Sequence, residues 1–137
     1  MEYLHRGLFK HPPLYPLIIA FSYLLFGSNV FAALLPSLAA WAGICLLVRK
    51  IAGRVFGPGA GIFAFVICLL DPMGLALSLR IYSECVLTFL LLLAAWMYLE
   101  RDRGGSLFRV GIVLGLACLT KYSAVVFLAG IVLHAST

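Results

Sequence analysis

The chain has 137 residues and a net charge of +5, with 64% hydrophobic and only 11% charged residues and a mean hydropathy of +1.13. Soluble domains run nearer half apolar and a quarter charged, so a small water-soluble core is excluded. The basic excess sits at the ends of apolar runs without interleaved aromatics, which excludes a nucleic-acid interface.

Taken in chain order, residues 1–11 are polar and aromatic and carry Arg6, Lys10, His5 and His11. They lack the small-residue cleavage site of a secretion signal. Pro12-Pro13 suits an extended lead-in or the first turn of a helix. Leu14–Phe26 is apolar, but thirteen residues reach only about 20 Å against a hydrocarbon core of about 30 Å. It is expected to be a tilted span, a half-span or a re-entrant piece, ended by Gly27-Ser28-Asn29. Residues 31–48 form a full span with Pro36 in its first turns and Arg49, Lys50 and Arg54 just beyond it. Gly57-Pro58-Gly59 then makes a tight turn.

Residues 60–70 begin a third helix, which meets Asp71-Pro72 and continues to about Leu79. The 80–84 stretch is a polar interruption. Residues 85–99 are a fourth apolar run, closed by the surface loop Glu100-Arg101-Asp102-Arg103-Gly104-Gly105. Leu107–Thr120 is a fifth run, and 122–134 a sixth after Lys121. No internal repeat is visible. The expectation is an all-α, polytopic transmembrane helix bundle of about five to six membrane segments, forming one module over 1–137. Cys45, Cys68, Cys85 and Cys118 lie in apolar runs with no metal-ligand spacing and read as small buried side chains.

The basic loops orient the bundle. Arg49, Lys50 and Arg54 mark one cytoplasmic loop, and Arg101, Arg103 and Arg109 another. Two spans separate them, so the 80–84 turn belongs on the outer face of what is expected to be a bacterial or archaeal cytoplasmic (inner) membrane. By the same parity, Leu14–Phe26 either crosses outward or starts and ends outside as a dip.

Glu84 is the first candidate for chemistry. Four residues after Arg80, it either shares a helix face with that arginine as a boundary ion pair or presents a carboxylate to a metal or acceptor. Asp71, about 24 Å of helix from Val55, is either a turn or cap before Pro72 or a functional acid near the outer boundary. Lys121 either snorkels to a headgroup or contacts a phosphate. Lys10 and His11 either anchor the interface or hold an anionic headgroup. No nucleophile elbow, phosphate-cradling glycine loop or zinc-protease motif is present.

Several stretches together carry a family resemblance. His11-Pro12-Pro13-Leu14-Tyr15-Pro16-Leu17 with Leu25-Phe26-Gly27, Leu35-Pro36-Ser37 leading to Arg49 and Val55-Phe56-Gly57, Arg80-Ile81-Tyr82-Ser83-Glu84-Cys85, and Gly115-Leu116-Ala117-Cys118-Leu119-Thr120-Lys121-Tyr122 stand in order. The set resembles the multispan polyprenyl-phosphate-sugar-dependent glycosyltransferases of the protein mannosyltransferase and aminoarabinose transferase type.

The resemblance implies a membrane enzyme that moves a sugar from a lipid-phosphate carrier to an acceptor of unknown identity on the outer or lumenal face. It implies Glu84 as the second-loop acid near an acceptor or a divalent metal ion. It further implies Lys10 and His11 at the donor phosphate, with Arg80 and Lys121 as supporting phosphate contacts. The family's principal acid lies in a first outer loop after a first helix, whereas the acids here before Asp71 reduce to Glu2. The expectation is therefore an internal piece of such an enzyme, inactive by itself. A non-enzymatic membrane role, as a transporter half or a helper subunit, is the competing reading. Charges collected at span ends argue against a transporter, and Gly111-x-x-x-Gly115, with Ala117 nearby, gives the fifth run one small-residue stripe a helper could use.

Overall fold

The structure is a computed structural model that describes residues 12–100, 107–127 and 129–130. The described residues fold as helices: α1 Leu14–Phe26, α2 Val30–Phe56, α3 Pro58–Leu70, α4 Pro72–Ser78, α5 Glu84–Leu99 and α6 Leu107–Thr120. The chain turns at Tyr122-Ser123 and is helical again from Ala124. No strand occurs among the described residues.

α2 is the axis of the bundle, packed against α1, α3, α4 and α5, while α6 packs on α5. It is 27 residues long, about 40 Å. The sequence-based expectation ended this span before the basic cluster, but the helix runs straight through Arg49, Lys50 and Arg54. Lysine and arginine are good helix formers, so nothing halts the helix until Gly57 turns the chain at φ 99°. At the other end Asn29 caps it, its Oδ1 accepting from Ala32 N at 2.7 Å. Pro36 sits inside the helix without an N–H for the Ala32 carbonyl four residues back. Ser22 of α1 supplies the missing donor at 2.6 Å.

The expected third span is broken. α3 and α4 meet at Asp71 with a bend of 60°. Asp71 caps α4 by accepting from Met73 N at 3.3 Å and Gly74 N at 2.8 Å, so the cap reading of this acid holds. α4 is pinned to α2 by the Trp41 ring, whose Cη2–Cζ edge lies against Gly74 where any Cβ would collide with it.

Cross-helix contacts fix the directions. Ser37 near the start of α2 reaches Tyr82 before α5, and Arg54 near its end reaches Leu99 and Glu100 after α5. α2 and α5 therefore run parallel, and the bent α3–α4 pair returns between them. α6 runs back again, which brings Lys121 to Glu84. α1 folds antiparallel onto the first half of α2, with Ser22 opposite Ala32 and Tyr15 opposite Ser37. Over its described residues α1 does not reach the basic end of the bundle.

Among the described residues α2 alone is long and apolar enough to span, and α3 with α4 passes as a bent pair. The outer surface supplies the remaining argument. Leu17, Phe21, Leu24, Phe56, Phe63, Leu70, Phe108 and Val126 are each more than half exposed. An apolar surface of this extent suits lipid as solvent, where helices satisfy their own backbone groups. The chain is an all-α membrane bundle. Its small core lies between helices, around Ala40, Cys85 and Val86 in one cluster and Ala94, Val110 and Leu114 in another.

Candidate functional site

The polar residues of the bundle gather at its two ends. The end away from the basic helix termini is built from α1, α2, the 79–83 turn, α5 and the exit of α6. Glu84 is the first residue of α5, ahead of the apolar run that starts at Cys85. Its Oε1 accepts a hydrogen bond from Lys121 Nζ at 2.9 Å. The pairing has a backbone rationale as well. A carboxylate at a helix N-terminus and an ammonium just past a helix C-terminus each face the favourable end of a macrodipole. α5 and α6 are antiparallel, so these two ends coincide.

Both side chains remain reachable, with 43% of Glu84 and 46% of Lys121 exposed. The hydrogen bond from Lys121 holds the Glu84 carboxyl below its ordinary range, against a smaller opposing effect of partial burial. In this state Glu84 is a weak base and Lys121 a satisfied cation.

A hydroxyl relay supports the turn behind the pair. Tyr15 Oη and Ser37 Oγ lie 3.0 Å apart, and Ser37 Oγ donates to the Tyr82 carbonyl at 3.3 Å. Ser37 is fully buried and Tyr15 nearly so. These contacts tie the 79–83 turn to α1 and α2, fixing the approach to Glu84. On the α6 side, Thr120 Oγ1 donates back to the Leu116 carbonyl at 3.0 Å, immediately before Lys121.

The helix-face pairing of Arg80 with Glu84 does not occur. The segment between them is a tight turn, with Tyr82 N bonding to the Arg80 carbonyl at 2.9 Å, so the four-residue spacing is not one helical turn. The Arg80 side chain is exposed and makes no ion pair among the described residues. Lys10 and His11 lie outside the described residues; Pro12, next in the chain, is buried. Sequence reasoning missed Tyr15 and Ser37. The available signals were a tyrosine set between Pro13 and Pro16 and a lone hydroxyl directly after Pro36 in a long uncharged run.

A divalent cation needs several oxygen or nitrogen ligands. Among the described residues no three His, Cys, Asp or Glu side chains converge, and Glu84 is already bonded to an ammonium. Among the described residues the donor set at this end therefore does not fit a metal, and no step below passes through one.

Comparison with known proteins adds an independent line. The family model described as "Dolichyl-phosphate-mannose-protein mannosyltransferase" matches residues 10–136. The chain is 30% identical over 96 residues to "Putative mannosyltransferase YkcB" of Bacillus subtilis (strain 168). That alignment covers 70% of this chain and 13% of the relative, so the chain spans a small part of that protein's length. No solved structure matches.

Proposed function

The chain belongs to the dolichyl-phosphate-mannose-protein mannosyltransferase family, and from that premise we propose that its function is glycosyl transfer in a membrane. The donor is a polyprenyl-phosphate-linked sugar, and the acceptor is met at the outer face of a cytoplasmic membrane, at the Glu84–Lys121 end. The observation that carries this reading is the 2.9 Å contact between Glu84 and Lys121. It joins two stretches, 80–85 and 115–122, that carry the resemblance separately and lie 37 positions apart.

The chemistry needs little. A glycosyl phosphate has a good leaving group, so catalysis asks for a base on the acceptor and positive charge on the departing phosphate. The C1–O bond to phosphate breaks, the acceptor oxygen bonds to C1, and the acceptor proton passes to Glu84. Lys121 stabilises the phosphate oxygen that takes the electron pair, with the exposed Arg80, together with Lys10 and His11, as further phosphate contacts. The resting ion pair makes donor and base interdependent. A donor phosphate that draws Lys121 away removes the hydrogen bond that depresses Glu84, and the carboxylate becomes a better base when donor is present.

The test uses membranes containing the 137-residue protein and a polyprenyl-phosphate mannose with a photoactivatable group on the isoprene next to the phosphate. Labelling of peptides from 79–84 or 116–122, competed by polyprenyl phosphate and reduced about tenfold or more by Lys121→Gln, is the expected result; loss of one charge-assisted contact has that size. Absent labelling, or labelling indifferent to Lys121→Gln, would sink the reading.

A further inference from the structure

The opposite end of the bundle holds a second cationic site that the transfer reading does not use. Arg49, Lys50 and Arg54 occupy the last turns of α2, where they line a cavity of about 640 Å³ shared with α3 and α5. The one carboxylate that lines it among the described residues, Glu100, lies 3.5 Å from Arg54 Nη1, while Arg54 Nη2 donates to the Leu99 carbonyl at 3.2 Å. Arg54 and Glu100 thus neutralise each other and close the cavity at the end of α5. Among the described residues Arg49 and Lys50 meet no carboxylate, and both are exposed. Lys50 Nζ instead stands over the Trp96 ring, 5.8 Å from its centre, and both residues line the cavity.

The cavity exists because α2 and α3 cross closely just below it. A Cβ at Gly61 would come within 2.7 Å of the Arg49 carbonyl oxygen and 3.0 Å of Gly53 Cα. With no side chain at either glycine, the two helices nearly touch, and the wall above them opens toward α5. The remaining lining is apolar: Leu46 and Ile62 are each about half exposed beside the cations. Two unneutralised cations, an interfacial indole and an adjoining strip of exposed aliphatic side chains describe a phosphate headgroup with its acyl chains running along the helices. A soluble phosphate would use the cations and leave the aliphatic strip unexplained.

We propose that this cavity binds the phosphate-bearing headgroup of an anionic bilayer lipid, with Arg49 and Lys50 as the phosphate contacts and Trp96 fixing Lys50 in place. Basic recesses between transmembrane helices are suited to such headgroups. The site is separate from the Glu84–Lys121 pair, since sixteen residues of α5, about 24 Å of helix, lie between Glu84 and Glu100. It therefore stands or falls independently of the transferase reading.

The test is electron spin resonance on the 137-residue protein in phosphatidylcholine vesicles, comparing spin-labelled phosphatidylglycerol with spin-labelled phosphatidylcholine in the motionally restricted fraction. Two cations near the headgroup correspond to a preference of roughly tenfold to thirtyfold for the anionic lipid. Arg49→Gln/Lys50→Gln is expected to bring that preference near unity, and Arg109→Gln, an exposed cation on α6 outside the cavity, to leave it intact. No preference in the unmodified protein, an unchanged preference in the double variant, or equal loss in Arg109→Gln would overturn the proposal. Circular dichroism of each variant checks that the helices are retained. Orthophosphate at millimolar concentration separates the two sources of the anion. Retention of the labelled lipid supports the headgroup, and its full displacement would overturn the lipid assignment in favour of a soluble phosphate.

Discussion

Ser22 Oγ donates to the backbone carbonyl of Ala32 at 2.6 Å, the carbonyl that Pro36 leaves without its helical partner. A proline inside a helix exposes an acceptor four residues earlier, and in lipid no water stands ready to satisfy it. Here a neighbouring helix fills the gap. The bond joins two residues ten positions apart across the Gly27–Asn29 turn and helps hold α1 folded back against α2.

This relationship predicts a coupling. Ser22→Ala is expected to destabilise the bundle by about 0.5–1.5 kcal/mol, the usual range for one hydrogen bond and near the top of that measured in membranes. In a Pro36→Ala background the restored N–H satisfies the carbonyl, and Ser22→Ala is expected to cost less by roughly 0.5 kcal/mol or more. A double-mutant cycle in mixed micelles, followed by circular dichroism, measures the difference. Equal costs in both backgrounds would show that Ser22 does not serve the proline gap.

The ion pair predicts a pH dependence with a defined sign. Pairing with Lys121 lowers the Glu84 carboxyl in the folded state. Such a group contributes stability at pH above its unfolded value, and the contribution disappears as pH falls through the lowered folded value. Unfolding measured from neutral pH into the acid range is expected to show this loss in the unmodified protein and not in Lys121→Gln. Both side chains are nearly half exposed, so the pair is worth no more than about 1 kcal/mol and weakens in high salt. A Lys121→Gln protein whose acid profile is unchanged would refute the assignment.

The helices were largely legible in the sequence, because uncharged runs bounded by Gly, Pro and charge clusters are local signals, although only α2, and α3 with α4 as a bent pair, have the length and hydropathy of a span among the described residues. Leu107–Thr120 and the break at 27–29 fell where the pattern put them. The site was less legible for a physical reason. Arg80 and Glu84 suggest an ion pair only if the chain between them is helical, and the turn at 80–82 removes that condition. The true partner, Lys121, comes from a helix hairpin 37 positions on, and no periodicity within one helix encodes it. Ser37 likewise acts through a loop 45 positions away. α2 outran its expected end because the basic residues were read as a loop, although their backbone propensity is helical.

Asp71 predicts a capping effect without catalysis. Its carboxylate accepts from two backbone amides at the start of α4. Asp71→Ala is expected to destabilise by roughly 0.5–2 kcal/mol, with Asp71→Asn or Asp71→Ser recovering most of it. Donor labelling at 79–84 should survive in all three once allowance is made for folded fraction. Selective loss of donor labelling in Asp71→Asn, with stability retained, would give this acid a functional role that the capping geometry does not.

The glycines predict a contrast between two Gly-x-x-x-Gly stretches of the same sequence. Gly111 and Gly115 form the Gly-x-x-x-Gly spacing of the fifth run, yet both are exposed and nothing approaches within 4 Å of a Cβ built on either. A Cβ on Gly61, which ends the repeated spacing Gly53-x-x-x-Gly57-x-x-x-Gly61, would meet backbone atoms of Arg49 and Gly53 at 2.7 to 3.1 Å. Backbone cannot yield as a side chain tip can, so Gly61→Ala must push α3 off α2. It is expected to cost about 1–3 kcal/mol, the range for overpacking a close contact. Gly111→Ala and Gly115→Ala are expected to be neutral or stabilising by up to about 1 kcal/mol each, through helix propensity alone. Unfolding in mixed micelles at low protein concentration measures all three. Because Gly61 also shapes the wall beneath Arg49, Gly61→Ala should lower the preference for phosphatidylglycerol as well, and the α6 variants should leave it unchanged. A tolerated Gly61→Ala together with a damaging Gly115→Ala would mean that the close helix crossing lies on α6 and not at the α2–α3 junction.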